Sequence, residues 1–402
     1  MQKIGLGSPL IALSIWPMLM YYYLGNFRAV AFLSYVICLV VYLSKVHENN
    51  NGGKAYALFS SMLLLEFIIG LVTFGDPLSH VFSYRLIFGF GIFFLGYVYF
   101  VKVEAEKIFL ILAILTIIEK LFLIASPGLI NILPNYDGGV TFSYENAESV
   151  FGGVHSFGGN RSVSGAILFA GYIYSMNKPI SRWAKTCIFF ASVVCMSGTA
   201  LLFAALYLPY LAIIKIRSNG RLFGKLVIAS ILGIFFMFLI PIFFVTSYED
   251  TLVDRFSLYY IDFIFGYKIE QIQDYIMAAD ISGFVFGLGS AAFTSTSEEI
   301  AGYGSRYGDF IALDFISRYG LLGFFMIFIL FALTMRKRSF PAIMIILLGT
   351  LHYHVLFSGP GQVMSALILA NTIRSRVISR VGSGKRVFDL PSDAIPSWSG
   401  RI

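Results

Sequence analysis

Charged residues are scarce in this chain. Only 13% of its 402 residues are Asp, Glu, Lys or Arg, whereas 58% are hydrophobic and 17% are aromatic. Soluble domains carry roughly 25% charged residues, so the composition excludes an ordinary soluble protein. Apolar runs near the bilayer-spanning length of about 20 residues recur along the whole chain. These runs predict a protein that crosses a membrane many times.

The alternating pattern of a membrane β-barrel is also missing. Barrel strands alternate apolar and polar residues over segments of about 10 residues. Segments such as LFSSMLLLEFIIGLVTF are instead continuously apolar. We therefore expect an all-α polytopic membrane protein.

Cysteines are few, and the common catalytic motifs are absent. The three cysteines, Cys38, Cys187 and Cys195, fall in apolar segments, so neither a disulfide framework nor a zinc cluster is expected. There is no Walker A loop, HExxH, GxSxG or DxD motif. His352 and His354 are two residues apart and would lie on different helical faces. We expect no metal site and no cofactor.

Lysine and arginine positions predict the topology, because cytoplasmic loops carry an excess of both residues. Segment 186–214 has basic residues on both sides, so it is predicted to form two short helices that turn at Ser197-Gly198-Thr199. The prediction is about twelve transmembrane helices with both termini in the cytoplasm, and it places 21 of the 29 Lys and Arg residues inside. The predicted spans are 8–24, 29–44, 55–74, 86–101, 108–125, 162–176, 186–214 as a pair, 222–245, 311–334, 340–357 and 361–373.

The predicted organisation is one transmembrane domain, residues 1–380, followed by a cytoplasmic tail, residues 381–402. Two substantial loops face outward, at 126–160 and 246–310. The net charge of +7 is explained by basic inner loops facing anionic lipid, so a membrane-lipid partner is expected and a nucleic-acid partner is not. No internal repeat is visible, which weakens a duplicated transporter fold.

The outward-facing cations indicate an anionic substrate. They run against the topological bias and lie on the two outer loops or the adjoining helix ends: Arg161, Arg255, Lys268, Arg306 and Arg318. Arginine binds phosphate oxygens bidentately and lysine binds them as a point charge. A lipid-linked diphosphate at the membrane surface fits this set. For each cation taken alone, a surface charge or a topological anchor is the alternative.

A transfer that releases diphosphate needs cations for the developing negative charge and a base for the acceptor hydroxyl. Asp309 ends the polar stretch that begins at Ser247, so it is the predicted base. Asp314 and Arg318 stand four residues apart on the next helix, and an ordinary ion pair is the alternative to substrate binding. Asp280 and Asp274 are less specific candidates.

Ionisable residues also fall within the predicted spans. Glu119 and Lys120 lie in span 108–125, and Glu66 lies in span 55–74. Such residues are costly in a bilayer and are usually paired or functional.

Four segments resemble the O-antigen polymerase (Wzy-type) and O-antigen ligase superfamily of bacterial polysaccharide assembly. They are GGNRSVSGAILF, MSGTALLFAALYL, VFGLGSAAF and RYGDFIALDFISRYGLLG, within 157–372. The superfamily's ligases carry a histidine where this chain has Asp309, which favours a polymerase. Gly198 stands where the family often has an arginine. Arg255 and Gly266 fit the Arg-x10-Gly pattern described for polymerase outer loops.

The resemblance implies a metal-independent glycosyltransferase in the bacterial cytoplasmic (inner) membrane. Its substrate would be an undecaprenyl-diphosphate-linked oligosaccharide, and a chain-length regulator protein is a further expected partner. Asp309, Arg255 and Arg306 are the expected catalytic residues. The expected substrate-binding residues are Arg161, Lys268, Arg318, Asp314 and Asp280. The alternatives are an O-antigen ligase that moves polymer to lipid A-core and a non-enzymatic lipid-linked oligosaccharide flippase.

A reporter fusion at Ser197 tests the topology. If segment 186–214 enters from the cytoplasm and turns back, a phosphatase fused after Ser197 lies outside the cytoplasm and is active. The same fusion after Lys215 serves as the inner control and is expected to be inactive. A cytoplasmic readout at Ser197 rejects the twelve-helix arrangement.

Overall fold

The computed structural model of the chain describes the segments that carry most of the candidate residues. The described residues are 15–27, 29–31, 33, 61, 64–65, 67–74, 103–126, 128, 132–133, 153–176, 178–197, 200, 203–204, 258–288, 311–334, 339–356 and 358–369. Within these ranges the regular structure is helical and contains no strand. The fold class of this part of the chain is therefore all-α, as the apolar runs predict.

We number the main helices in chain order. They are α1 (Ala105–Ala125), α2 (Arg161–Ser175), α3 (Arg182–Val194), α4 (Leu258–Ala278), α5 (Ile281–Phe286), α6 (Ile311–Thr334), α7 (Phe340–His352) and α8 (Gly359–Leu369). Short 3-10 or π turns occur at Gly25–Phe27, Gly70–Phe74 and Ser156–Gly158. The chain forms two compact units, one of residues 109–278 and one of residues 1–108 and 279–402.

Helix α1 is the one helix of the described part that is long and apolar enough to cross a membrane. It has 21 residues and contains an 18-residue window with a mean hydropathy of 2.6, and at 1.5 Å per residue the helix extends about 30 Å. The other predicted spans fall partly or wholly outside the described residues, form shorter helices or, for 311–334, form a helix that is broken at Gly320. The number of crossings stays a prediction.

The two faces of α1 are arranged opposite to those of a helix on a soluble protein. Apart from Lys107 in its first turn, its exposed large side chains are apolar: Ile114, Ile118, Leu121, Phe122 and Ile124. Its ionisable pair Glu119 and Lys120 is buried, as is Thr116. Apolar side chains outside and polar ones inside suit a helix with a hydrocarbon surrounding.

Small residues let α2 pack closely within the unit of residues 109–278. A Cβ added to Gly171 would overlap the ring of Phe109 on α1. A Cβ on Gly165 would lie 2.9 Å from both Ser197 Oγ and Ala200 Cβ. Nearly all of α2 is buried as a result. Such close approach through small residues is common in membrane helix bundles.

The helix break predicted within segment 186–214 is present. Helix α3 ends at Val194, and Met196 has a left-handed φ of 48°. Ser197 Oγ then accepts a hydrogen bond from the backbone N–H of Ala200 at 3.0 Å, as a helix N-cap does. The break therefore lies at the start of the predicted turn, whereas the reversal of the chain and the side of the membrane that the turn faces stay predictions.

Helix α6 is broken at Gly320, although its sequence reads as one continuous span. Gly320 has φ 66° and ψ −175°, a conformation that is essentially restricted to glycine. The backbone of Gly287, which follows α5, packs against this break. Leu288 N–H donates to the carbonyl of Ser317 at 2.6 Å. The break frees this carbonyl, and the segment after α5 satisfies it.

A compact turn joins α7 to α8. Helix α7 begins after Ser339, with a proline in its first turn, and ends at His352, five residues before the predicted end of that span. Thr350 Oγ1 accepts a hydrogen bond from Leu356 N–H at 2.9 Å, and Ser358 Oγ accepts one from Gly361 N–H at 3.1 Å. These side chains satisfy the backbone groups of a buried turn.

The break at Gly320 is tested by Gly320→Ala, with Gly266→Ala as the matched control. A Cβ on Gly320 would lie 2.6 Å from Gly287 N and would force an alanine into a glycine-only conformation, at a cost of about 2 kcal/mol or more. Gly266 is within α4 and nothing lies within 4 Å of its added Cβ, so alanine there is expected to be neutral or stabilising. Thermal unfolding of the purified variants in detergent should separate them. Equal melting temperatures would contradict the described break.

Candidate functional site

The structure describes the side chains of four of the predicted site residues: Arg161, Asp280, Asp314 and Arg318. Lys268 lies on α4, and its side chain is outside the described part. The predicted catalytic residues Asp309, Arg255 and Arg306 are also outside the described residues. Their assignment stays a prediction.

Asp314 and Arg318 form a buried ion pair one helical turn apart on α6. Arg318 Nε donates to Asp314 Oδ1 at 2.8 Å, and the two side chains are 5% and 0% exposed. Buried charges are tolerated only when they are paired and hydrogen-bonded. Arg318 also lies two residues before the break at Gly320, where the negative end of the first half-helix favours a cation. The shared face that the spacing predicts is therefore confirmed.

The contact between Gly287 and Gly320 holds the backbone that carries this pair. A Cβ on Gly287 would lie 2.7 Å from Tyr319 N and closer still to the carbonyl of Arg318. Gly287 has φ 88°, which an L side chain rarely adopts. Two of the segments singled out in the sequence, VFGLGSAAF and RYGDFIALDFISRYGLLG, thus contribute to one packed contact.

The other two segments also meet. GGNRSVSGAILF includes the start of α2, and MSGTALLFAALYL includes the turn after α3. They touch where Gly165 packs on Ser197 and Ala200. The four segments therefore form two packed pairs, each within its own unit.

Arg161 is the first residue of α2 and is half-buried. Asn160 caps the helix, since its Oδ1 accepts from Ser162 N–H at 2.7 Å. The Arg161 side chain crosses the bare backbone of Gly153: a Cβ there would lie 2.8 Å from Arg161 Cδ and 3.5 Å from Nη1. A cation at the positive end of a helix adds to the dipole, so this position favours an anion.

Sequence reasoning missed the buried polar cluster between α1 and the segment Gly153–Asn160. Ser156 N–H donates to Glu119 Oε1 at 3.1 Å, and the hydroxyls of Ser156 and Thr116 are 2.6 Å apart. The sequence identified Glu119 as an ionisable residue within a span but gave it no partner. The glycines that flank His155 and Ser156 were the available signal, because they mark a tight backbone.

Asp280 caps helix α5. Its Oδ1 accepts hydrogen bonds from Gly283 N–H at 2.6 Å and from the Ser282 hydroxyl at 2.8 Å. These two bonds, the backbone one first, hold the pKa of the Asp280 carboxyl below its ordinary value. A lowered pKa means that the cap is intact above the ordinary pKa and is lost as the pH falls through the lowered one. The exposed carboxylate thus has a capping role, beside its predicted role in substrate binding.

Comparison of the chain with protein-family models, with curated proteins and with solved structures found no match. Within the described ranges, no three or more His, Cys, Asp or Glu side chains cluster as metal ligands would. The chemistry available in these ranges is that of a buried ion pair, a half-buried arginine at a helix start and a buried carboxylate.

Proposed function

We propose that this protein is a membrane-embedded glycosyltransferase that polymerises lipid-linked oligosaccharides. It transfers a growing glycan from undecaprenyl diphosphate to the sugar end of another lipid-linked repeat unit. The reaction takes place on the outer face of the bacterial cytoplasmic membrane. The observation that carries this proposal is that the four segments resembling the polymerase and ligase superfamily form two packed pairs, each containing an arginine.

A hydrophobic surrounding is supported by α1. Beyond its first turn, which includes the exposed Lys107, its exposed face is apolar, and Glu119 and Lys120 are buried. A bundle with this polarity suits a substrate whose polyprenyl tail stays in the bilayer while its diphosphate reaches the surface. The outward position of Arg161 and of the loop 246–310 follows from the lysine and arginine distribution.

The proposed reaction is a displacement at the anomeric carbon of the donor sugar. The acceptor hydroxyl forms the new C–O bond, and the bond from the anomeric carbon to the diphosphate oxygen breaks with its electron pair. Asp309 takes the hydroxyl proton as general base. Arg255 and Arg306 stabilise the charge on the departing undecaprenyl diphosphate. No protonated acid is needed, because diphosphate is already a good leaving group.

Substrate binding is assigned to Arg161, Lys268, Arg318, Asp314 and Asp280. The described geometry supports different tasks for Arg161 and Arg318. Arg161 is half-buried at a helix start and suits an anionic group. Arg318 is already held by Asp314 at 2.8 Å, so an anion binds there only by sharing the guanidinium with that carboxylate. Arg161 is also the more accessible of the two, because it is half-buried whereas Arg318 is 5% exposed.

Gene deletion with a polysaccharide ladder gel tests the class of reaction. A strain without the polymerase is expected to carry lipid A-core capped with single repeat units. Loss of a ligase instead leaves uncapped core with polymer on the carrier lipid. Loss of a flippase leaves repeat units on the inner leaflet. Either of these last two results overturns the proposed function.

Complementation of that strain tests the site. Arg255→Ala and Asp309→Ala are each expected to abolish long chains, because they remove leaving-group stabilisation and the base. Arg182→Ala, an exposed arginine at the start of α3, is the matched control and should restore the ladder. Membrane fractions probed for the protein verify that each variant inserts. Normal ladders from both site variants would contradict the assignment.

A further inference from the structure

We infer that Glu119 is a positioning residue for Arg161: it holds the segment Gly153–Asn160, from which α2 and Arg161 begin. The inference rests on the proposed function, because it concerns how the protein binds the lipid diphosphate. It assigns a role to the buried cluster on α1 that the proposed reaction does not use.

The segment contains a backbone conformation that needs support. Ser156 has φ 53°, in the left-handed region that non-glycine residues rarely adopt. Such strain persists only where surrounding contacts hold it. Glu119 Oε1 accepts the Ser156 N–H at 3.1 Å, and Thr116 Oγ1 lies 2.6 Å from Ser156 Oγ. Both supporting side chains come from α1, 37 and 40 residues away in the sequence.

The other end of the segment is fixed to α2. Ser164 Oγ accepts from Gly158 N–H at 2.9 Å and donates to the carbonyl of His155 at 2.5 Å. Gly159 N–H donates to the carbonyl of Ser156 at 3.1 Å. The residues from His155 to Gly158 are buried. The segment is therefore tied to α1 by Glu119 and to α2 by Ser164.

Arg161 depends on this segment for its position. Its side chain lies across Gly153, and the same glycine packs against the carbonyl of Cys195, leaving no room for a Cβ. A shift of the segment away from α1 would therefore move the surface against which the guanidinium rests. Glu119 contacts the segment three residues after Gly153, at Ser156.

The depth of the segment along α1 explains why these bonds are needed. Glu119 lies six residues before the end of α1, or about 9 Å along its axis. Helix α2 has 15 residues and extends about 22 Å, less than the roughly 30 Å of a hydrocarbon core. With α1 crossing the bilayer as proposed, irregular backbone at this position has to be hydrogen-bonded within the protein.

The test is binding of undecaprenyl diphosphate to the purified full-length protein in nanodiscs, with thermal unfolding measured on the same samples. Glu119→Leu removes the acceptor for Ser156 N–H and is expected to weaken binding about tenfold, and Arg161→Ala is expected to weaken it to a similar extent. Glu119→Gln keeps an acceptor oxygen and should bind within about twofold of the wild type. The double variant Glu119→Leu/Arg161→Ala should bind no more weakly than Arg161→Ala alone, because the two changes act on one interaction.

A purely structural role predicts different results. Glu119→Leu would then lower the melting temperature without changing the affinity, or its effect would add to that of Arg161→Ala; either outcome overturns the inference. If Glu119→Leu does not fold, Thr116→Val is used in its place, because this substitution removes only the hydroxyl beside Ser156. Wild-type affinity in Thr116→Val would then overturn the inference, and weaker binding would support it.

Binding is measured without turnover, so the inference and the proposed function can fail separately. If the wild-type protein binds undecaprenyl diphosphate but makes no polymer, the proposed function is overturned. The positioning role of Glu119 is then still tested by the binding affinities of the variants. Wild-type protein that does not bind it overturns the inference.

Discussion

Backbone hydrogen bonding at the helix breaks is the constraint on which the described structure depends. A helix satisfies its own backbone groups, but each break in an apolar bundle leaves N–H and C=O groups that need partners. The described part of the chain supplies such partners at three places. Glu119 and Ser164 accept hydrogen bonds from backbone N–H groups of the segment before α2. The carbonyl of Ser317 accepts one from the segment after α5, and Thr350 accepts one from the turn after α7.

Glycines and charged side chains lie close together at the helix breaks. Gly287 and Gly320 allow two irregular backbones to touch, and Asp314 and Arg318 neutralise each other within the half-helix that precedes this contact. Gly153 likewise allows its backbone to pack closely against Cys195 and the side chain of Arg161. The polar groups that could serve chemistry therefore lie at or next to the irregular positions of the described helices.

The sequence predicts the features that depend on short spacing. The apolar runs predict an all-helical chain, the basic residues around 186–214 predict the break at Ser197, and the four-residue spacing predicts the pairing of Asp314 with Arg318. Each of these depends on residues that are close in the chain. No fold was predicted from the sequence for the loop 246–310, in which helices α4 and α5 lie.

Long-range and conformational features could not be predicted in the same way. The bond from Ser156 to Glu119 joins residues 37 positions apart, and no local pattern identifies such a partner. Gly320 is one of 38 glycines, and nothing in its neighbours distinguishes a helix break from a helix–helix contact. Arg255, Arg306 and Asp309 stay assigned from sequence alone, because they lie outside the described residues.

Reconstitution is the most direct test of glycosyl transfer by this chain. The purified protein would be placed in liposomes with undecaprenyl-diphosphate-linked repeat units and EDTA, and glycan length would be measured together with released undecaprenyl diphosphate. The proposed function predicts polymer formation without added metal and one undecaprenyl diphosphate released for each new glycosidic bond. Repeat units that remain single, with no undecaprenyl diphosphate released, would contradict it.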